Sequence, residues 1–159
     1  MDQASFFRLA NHPLKFRLFL LTRLPSAFFS GLRIQAAEPG RCAVSIPYKW
    51  WTKNPFRSTY FACLGMAAEM STGVLAMAHI QGRKPPVSML VVGLEANFFK
   101  KATGRTTFVC TDGAIIQAAV EQAAATGEAA TVRACSIGNN EAGEVVAEFF
   151  ITWSFKSRK

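Results

Sequence analysis

A single carboxylate, Glu69, interrupts the nearly chargeless run "NPFRSTYFACLGMAAEMSTGVLAMAHIQG" at residues 54–82. On a helix, residues three and four apart share a face, so its neighbours are Gly65, Met66, Thr72 and Gly73. A glycine inside a helix costs up to ~1 kcal/mol against alanine. Two of them bracketing a glutamate at equal spacing call for close approach by a strand, another helix or a ligand. Facing a pocket, the Glu69 carboxyl would be pushed toward neutrality by burial and suited to general-base or nucleophilic work. The competing reading is that Glu69 pairs with a basic side chain or caps a backbone group at a subunit interface, since buried carboxylates are rarely left unpaired. Asn54 precedes the run in "KNPF". An asparagine ahead of a proline is a turn residue, although its amide can also donate to a carbonyl or orient a water at a helix entrance. The backbone N–H groups near Tyr60, Phe61 and Ala62 would assist if the first helical turn opens onto the pocket, because a helix N-terminus stabilises developing negative charge.

The stretch from about Ser58 to Ile80, rich in Ala, Met and Leu, has a polar Ser58-Thr59 start and Gly82 past its end. A helix apolar on nearly every side belongs in the centre of a fold. Ahead of it, "PLKFRLFLLTRL" predicts one or two amphipathic arm helices, with Pro13 at the start, Phe16, Phe19, Leu20 and Leu24 on one side, and Pro25 at the end. "LRIQAAEPGRCAVSIPY" reads as a hairpin turning at Glu38-Pro39-Gly40. After the central helix come "VSMLVVGLEANFF", "RTTFVCT" and "EAATVRACSI", all of strand character, with "DGAIIQAAVEQAAATG" as a short helix before the last, capped by Asp112 and stopped by Gly127. In "EVVAEFFITWSFK" the residues Val145, Ala147, Phe149, Ile151, Trp153 and Phe155 alternate onto one face. Phe150 and Val146 on the other face predict cover by a subunit or by the arm. The sum is an α+β fold: a helical arm at residues 1–30, then residues 31–159 as one domain with a curved, mostly antiparallel sheet wrapped around the central helix.

A chain of 159 residues, half of them hydrophobic and 14 of them Phe, can hold a substantial core or a buried interface. The net charge of +8 favours polyanionic partners, among them anionic lipid and phosphate-bearing metabolites. Its basic residues fall in small groups with no basic helix and no nucleic-acid motif, which argues against nucleic acid. Cys42, Cys63, Cys110 and Cys135 lack metal-ligand spacing and read as core residues, so no metal centre and a reduced, cytoplasmic setting are expected. Arg8, Lys15, Arg17 and Arg23 interrupt any secretory h-region. A membrane span at residues 58–82 would hold Glu69 near the bilayer centre at a cost of ~3 kcal/mol, and the basic, Phe-rich arm is expected to dock on the sheet, so membrane contact is not expected.

The chain resembles the hotdog-fold thioesterases of the phenylacetate-pathway type, in which an asparagine loop leads into a His-Gly-Gly helix start with an Asp or Glu further along the central helix. Asn54 and Glu69 stand fifteen apart, as in that pattern. "SMLVVGLEANFFKKATG" is similar to the strand and turn after the hotdog helix, and "AEFFITWSFKSRK" to the closing strand of an uncharacterised hotdog branch. The likeness spans roughly residues 30–156. Where the family has His-Gly-Gly, this chain has Tyr60-Phe61-Ala62, which alters how closely an acyl carbonyl can approach the backbone. The resemblance implies hydrolysis of an acyl thioester, usually acyl-coenzyme A, without a cofactor. Glu69 is then base or nucleophile, Asn54 positions water or carbonyl, and Thr72 helps to hold the water. Tyr60, Phe61, Ala62, Gly65 and Gly73 would meet the acyl group, while Arg57, Arg83, Lys84, Lys100 and Lys101 would meet the nucleotide phosphates at a subunit edge. A homodimer or dimer of dimers is implied as well. The alternative is a non-catalytic acyl-coenzyme A or fatty-acyl binder of the same fold; a third is a membrane-associated protein that uses its N-terminal arm.

Overall fold

The computed structural model describes residues 1–157. Three helices occupy the arm: α1 (Gln3–Ala10), α2 (Pro13–Arg23) and α3 (Pro25–Ser30). The third arises because Pro25, which stops α2, also has the fixed φ that suits a first helical position. Phe6, Phe7, Ala10, Phe16 and Leu20 are buried, so the arm docks. Leu24 does not join them, since it caps the junction of α2 and α3 and stays exposed.

The hairpin β1 (Arg33–Glu38) and β2 (Arg41–Ile46) turns at Pro39-Gly40. The central helix, α4 (Phe61–Ile80), begins three residues later than its polar Ser58-Thr59 signal suggested. Both residues are instead buried in the preceding loop, where the Thr59 amide and hydroxyl donate to the Ala102 carbonyl at 2.8 and 3.1 Å. Then follow β3 (Val87–Phe98), β4 (Thr106–Cys110), α5 (Gly113–Thr126), β5 (Ala130–Asn139) and β6 (Val145–Ser157). Asp112 stands at the N-cap of α5, but its carboxylate accepts from the Cys135 amide at 2.7 Å and so ties the helix start to β5 rather than capping it.

The six strands form one sheet in the order β1-β2-β4-β5-β6-β3, every neighbouring pair antiparallel. This is the expected α+β layering, with α4 mostly buried against β2, β4, β5 and α5. Length and composition alone would let α4 cross a membrane, yet here it is the core helix. Two buried polar links fix it to the sheet: Ser71 and Ser136 hydroxyls at 2.7 Å, and Trp153 Nε1 donating to Thr72 Oγ1 at 2.9 Å. On β6, Ala147, Phe149, Ile151, Trp153 and Phe155 are buried as the alternation predicts, while Val145 at the strand start is exposed. The arm packs on β1 and α4. Phe150, on the other face, is covered instead by the Arg133 guanidinium, 3.7 Å above its ring.

Strand β3 closes one edge of the sheet and carries a bulge between Val91 and Gly93. Before the bulge, Met89 and Val91 stand opposite Phe155 and Trp153; after it, Leu94, Ala96 and Phe98 stand opposite Ile151, Phe149 and Ala147. The extra residue restores the parity that one continuous strand would have lost, so Met89 and Val91 before it and Leu94, Ala96 and Phe98 after it share the helix side, while Leu90 and Val92 stay exposed.

Candidate active site

Glu69 lies at the midpoint of α4, half-buried, on the wall of an open groove of about 420 Å³. The groove runs between the first half of α4 (Phe61, Ala62, Gly65, Met66) and the inward residues of β3 and β6 (Leu94, Ala96, Phe98, Phe149). Apart from the Glu69 carboxylate, every lining side chain is apolar. No basic side chain pairs with Glu69 among the described residues. Burial therefore acts unopposed and holds its carboxyl above the ordinary carboxylate range.

The two glycines flanking Glu69 do different things. A Cβ on Gly73 would stand 3.2 Å from Glu69 Oε1 and 3.3 Å from the Trp153 ring, so Gly73 makes room for the carboxylate and the indole together. A Cβ on Gly65 would meet only the edge of Phe149, at 3.4 Å, an ordinary contact. Gly65 widens the groove. Thr72 is fully buried and its hydroxyl is committed: it donates to the Glu69 carbonyl at 3.0 Å and accepts from Trp153 Nε1. It fixes the helix beneath Glu69 and has no proton left to offer a water.

The start of α4 opens on the same groove through Phe61 and Ala62. Tyr60 is its N-cap and supplies no side-chain cap, and the Phe61 and Ala62 amides make no hydrogen bond among the described residues. Two donors and the positive end of a 20-residue helix are thus left for a ligand. Phe61 and Glu69 are eight residues apart, which is ~12 Å along one helix.

Asn54 organises its own loop. Its Oδ1 accepts from the amides of Phe56 (2.9 Å) and Ser58 (3.2 Å), and its Nδ2 donates to Ser58 Oγ at 3.1 Å. This Asx turn holds Arg57 at a φ of 60°, a strained position for a long side chain. Asn54 lines a second hollow of about 540 Å³ with Tyr60, Phe61, Phe98, Lys100 and Lys101, so Asn54 and Glu69 occupy neighbouring cavities that share Phe61 and Phe98. Lys100 is held by Glu144, Lys101 is exposed, and Arg57 is not on the wall. Among the described residues no three His, Cys, Asp or Glu side chains converge as metal ligands. Leu94, Phe98 and Phe149, which build the far wall, were missed as site residues. The alternation of β6 marks Phe149 as inward, but nothing local says that β3 pairs with it.

The family described as "domain of unknown function (DUF4442)" matches residues 16–155. No curated protein matches the sequence. Among solved structures, the chain is similar to a Pseudomonas aeruginosa protein of unknown function described as a probable thioesterase, at 23% identity and a TM-score of 0.77, covering 92% of this chain and 97% of that one. It is similar to a mutant thioesterase from the same organism, at 15% identity and a TM-score of 0.68, over 93% and 96% of the two chains. It is also similar to a Haemophilus influenzae thioesterase, at 14% identity and a TM-score of 0.63, over 88% of each. At these identities the likeness establishes the fold, which is the hotdog fold.

Proposed function

This chain belongs to the DUF4442 family and has the hotdog fold, and from that premise we propose that it hydrolyses an acyl thioester with Glu69 as its base or nucleophile. The observation that carries the reading is a carboxylate without an ionic partner, raised by burial, on the wall of an otherwise apolar groove into which an uncapped helix start opens. The groove suits an acyl chain. Glu69 takes a proton from a water that attacks the thioester carbonyl, or attacks the carbonyl itself to give an anhydride that water then cleaves; in either case the thiolate leaves. The Phe61 and Ala62 amides donate hydrogen bonds to the developing oxyanion in this reading.

The ~10–12 Å between those amides and Glu69 along one helix is too long for both to serve one carbonyl. A second copy completes the site by bringing its own α4 alongside. Support comes from β3, a 12-residue edge strand whose Leu90, Val92, Leu94 and Phe98 are exposed, the kind of free edge that pairs with another chain. The other edge, β1, has six residues and lies against the arm. Coenzyme A is the thiol that the basic character favours, with Lys100 and Lys101 on the wall of the second hollow.

A specific observation supports the alternative of a non-catalytic acyl binder. Thr72 is committed to hydrogen bonds inside the chain, and Asn54, which uses one amide N–H on Ser58, lines the neighbouring hollow rather than the groove, leaving Glu69 without a partner for orienting a water. A panel of short, long and aromatic acyl-coenzyme A esters separates the two. Release of free coenzyme A from any member supports hydrolysis; saturable binding with no release from any of them makes the protein a binder.

A further inference from the structure

Away from the Glu69 groove, two adjoining hollows of about 400 and 310 Å³ share Arg17, Arg33 and Arg105 on their walls, and Lys49 joins them in the smaller one. No carboxylate lines either hollow, and none of the four cations has an ion-pair partner among the described residues. The surrounding sequence offers none nearby, since residues 3–37 and 39–68 contain no Asp or Glu. Arg17, in α2, lies over the Phe28 ring, 4.4 Å from its centroid, and Arg33 of β1, Lys49 after β2 and Arg105 before β4 are exposed; together the four cations give the cleft a positive potential that favours an anion.

Exposed apolar side chains adjoin this cleft. At 100° per residue, Leu14, Leu18 and Leu21 form one stripe of α2, opposite the docked Phe16 and Leu20, and they are 75%, 63% and 42% exposed. Leu14 lines the cleft itself. Next to Lys49, Trp50 and Trp51 are exposed as well, and Trp51 reaches the arm through Phe29, with ring centroids 6.2 Å apart. The arm therefore docks as expected and still leaves a second apolar face.

We propose that this face docks on an anionic phospholipid surface, with the Arg17–Arg33–Arg105 cleft taking a headgroup phosphate while the α2 leucines and Trp50/Trp51 enter the interface. Arginine matches phosphate oxygens bidentately, and exposed Trp and Leu beside basic residues are what an interfacial helix presents to lipid. A soluble anion would leave these apolar side chains without a role. A second copy packed on this face would set the two cationic clusters against each other.

The test is flotation of the full chain with phosphatidylcholine vesicles and with vesicles also containing phosphatidylglycerol, at low and high salt. Wild type is expected to float with the anionic vesicles alone and to be released by salt. Arg33→Gln/Arg105→Gln should weaken binding roughly thirtyfold and Leu18→Gln/Leu21→Gln at least about tenfold, all four positions being exposed. The neutral-versus-anionic comparison on wild type stands whether or not a variant folds. Absence of flotation, equal flotation with neutral vesicles, or variants that bind like wild type would overturn the proposal. So would thermal protection by inorganic phosphate without flotation, which assigns the cleft to a free anion. A changed oligomeric state of the leucine variant with unchanged flotation assigns the stripe to a second copy, with the same consequence.

Discussion

Burial holds the Glu69 carboxyl above its ordinary value, so the folded chain keeps a proton there at pH values where the unfolded chain has lost it. In that window the native state binds more protons, and stability falls as pH rises from the unfolded value through the folded one. Above the window the full cost of a buried carboxylate is present. Glu69→Gln is therefore expected to melt at or above the wild-type temperature at neutral pH, with the difference vanishing below the ordinary value of 4.5, in a pH series of thermal unfolding curves. A variant less stable than wild type at neutral pH would show that the carboxylate has a stabilising partner. The thiols obey the same physics: burial pushes Cys42 and Cys110, opposite one another on β2 and β4, up to about 12. Cys135 is the one cysteine that is not fully buried, so alkylation of the native protein should label it first, as read by peptide mass. Single residues were partly legible in advance. Glu69 stands out because nothing near it balances its charge, and Asn54 followed the turn chemistry of its Asn-Pro pair. The commitment of Thr72 to Trp153 was not legible, because the partner lies 81 residues away.

At the scale of elements, the equal spacing of Gly65 and Gly73 suggested equal roles, and the packing separates them. Gly73→Ala crowds Trp153, whose indole is fixed by Thr72, so overpacking of about 1–3 kcal/mol should outweigh a helix-propensity gain of up to ~1 kcal/mol. Gly65→Ala meets only ordinary contact and should be neutral or stabilising by up to ~1 kcal/mol while narrowing the groove. Denaturant unfolding of the two variants side by side checks the contrast. Periodicity and punctuation made α4, the hairpin and β6 readable, since each shows a strong pattern or a Pro-Gly turn. The start of α4 was misplaced because Ser58 and Thr59 look like helix-entry residues, yet Thr59 is pinned by Ala102 from a distant loop. The β3 bulge had its local mark in Gly93. The pairing that turns β3 into the far wall of the groove is a property of sheet order, which no local window contains.

The whole molecule keeps its core helix inside and leaves its longest apolar edge, β3, open. Two such edges paired across a two-fold axis would cover the Leu94 and Phe98 side of the groove and carry a second α4 to the first. Sedimentation at micromolar concentration should accordingly show at least a dimer, and a monomer would remove the two-chain site. Everything proposed for the chemistry then converges on one carboxylate. The decisive measurement is the rate of coenzyme A release from the best thioester substrate by wild type beside Glu69→Gln, both shown to be folded and of the same oligomeric state. A drop of at least about a hundredfold in kcat, with affinity for an unreactive thioether analogue retained, is the predicted result; turnover by Glu69→Gln within a few-fold of wild type would contradict it.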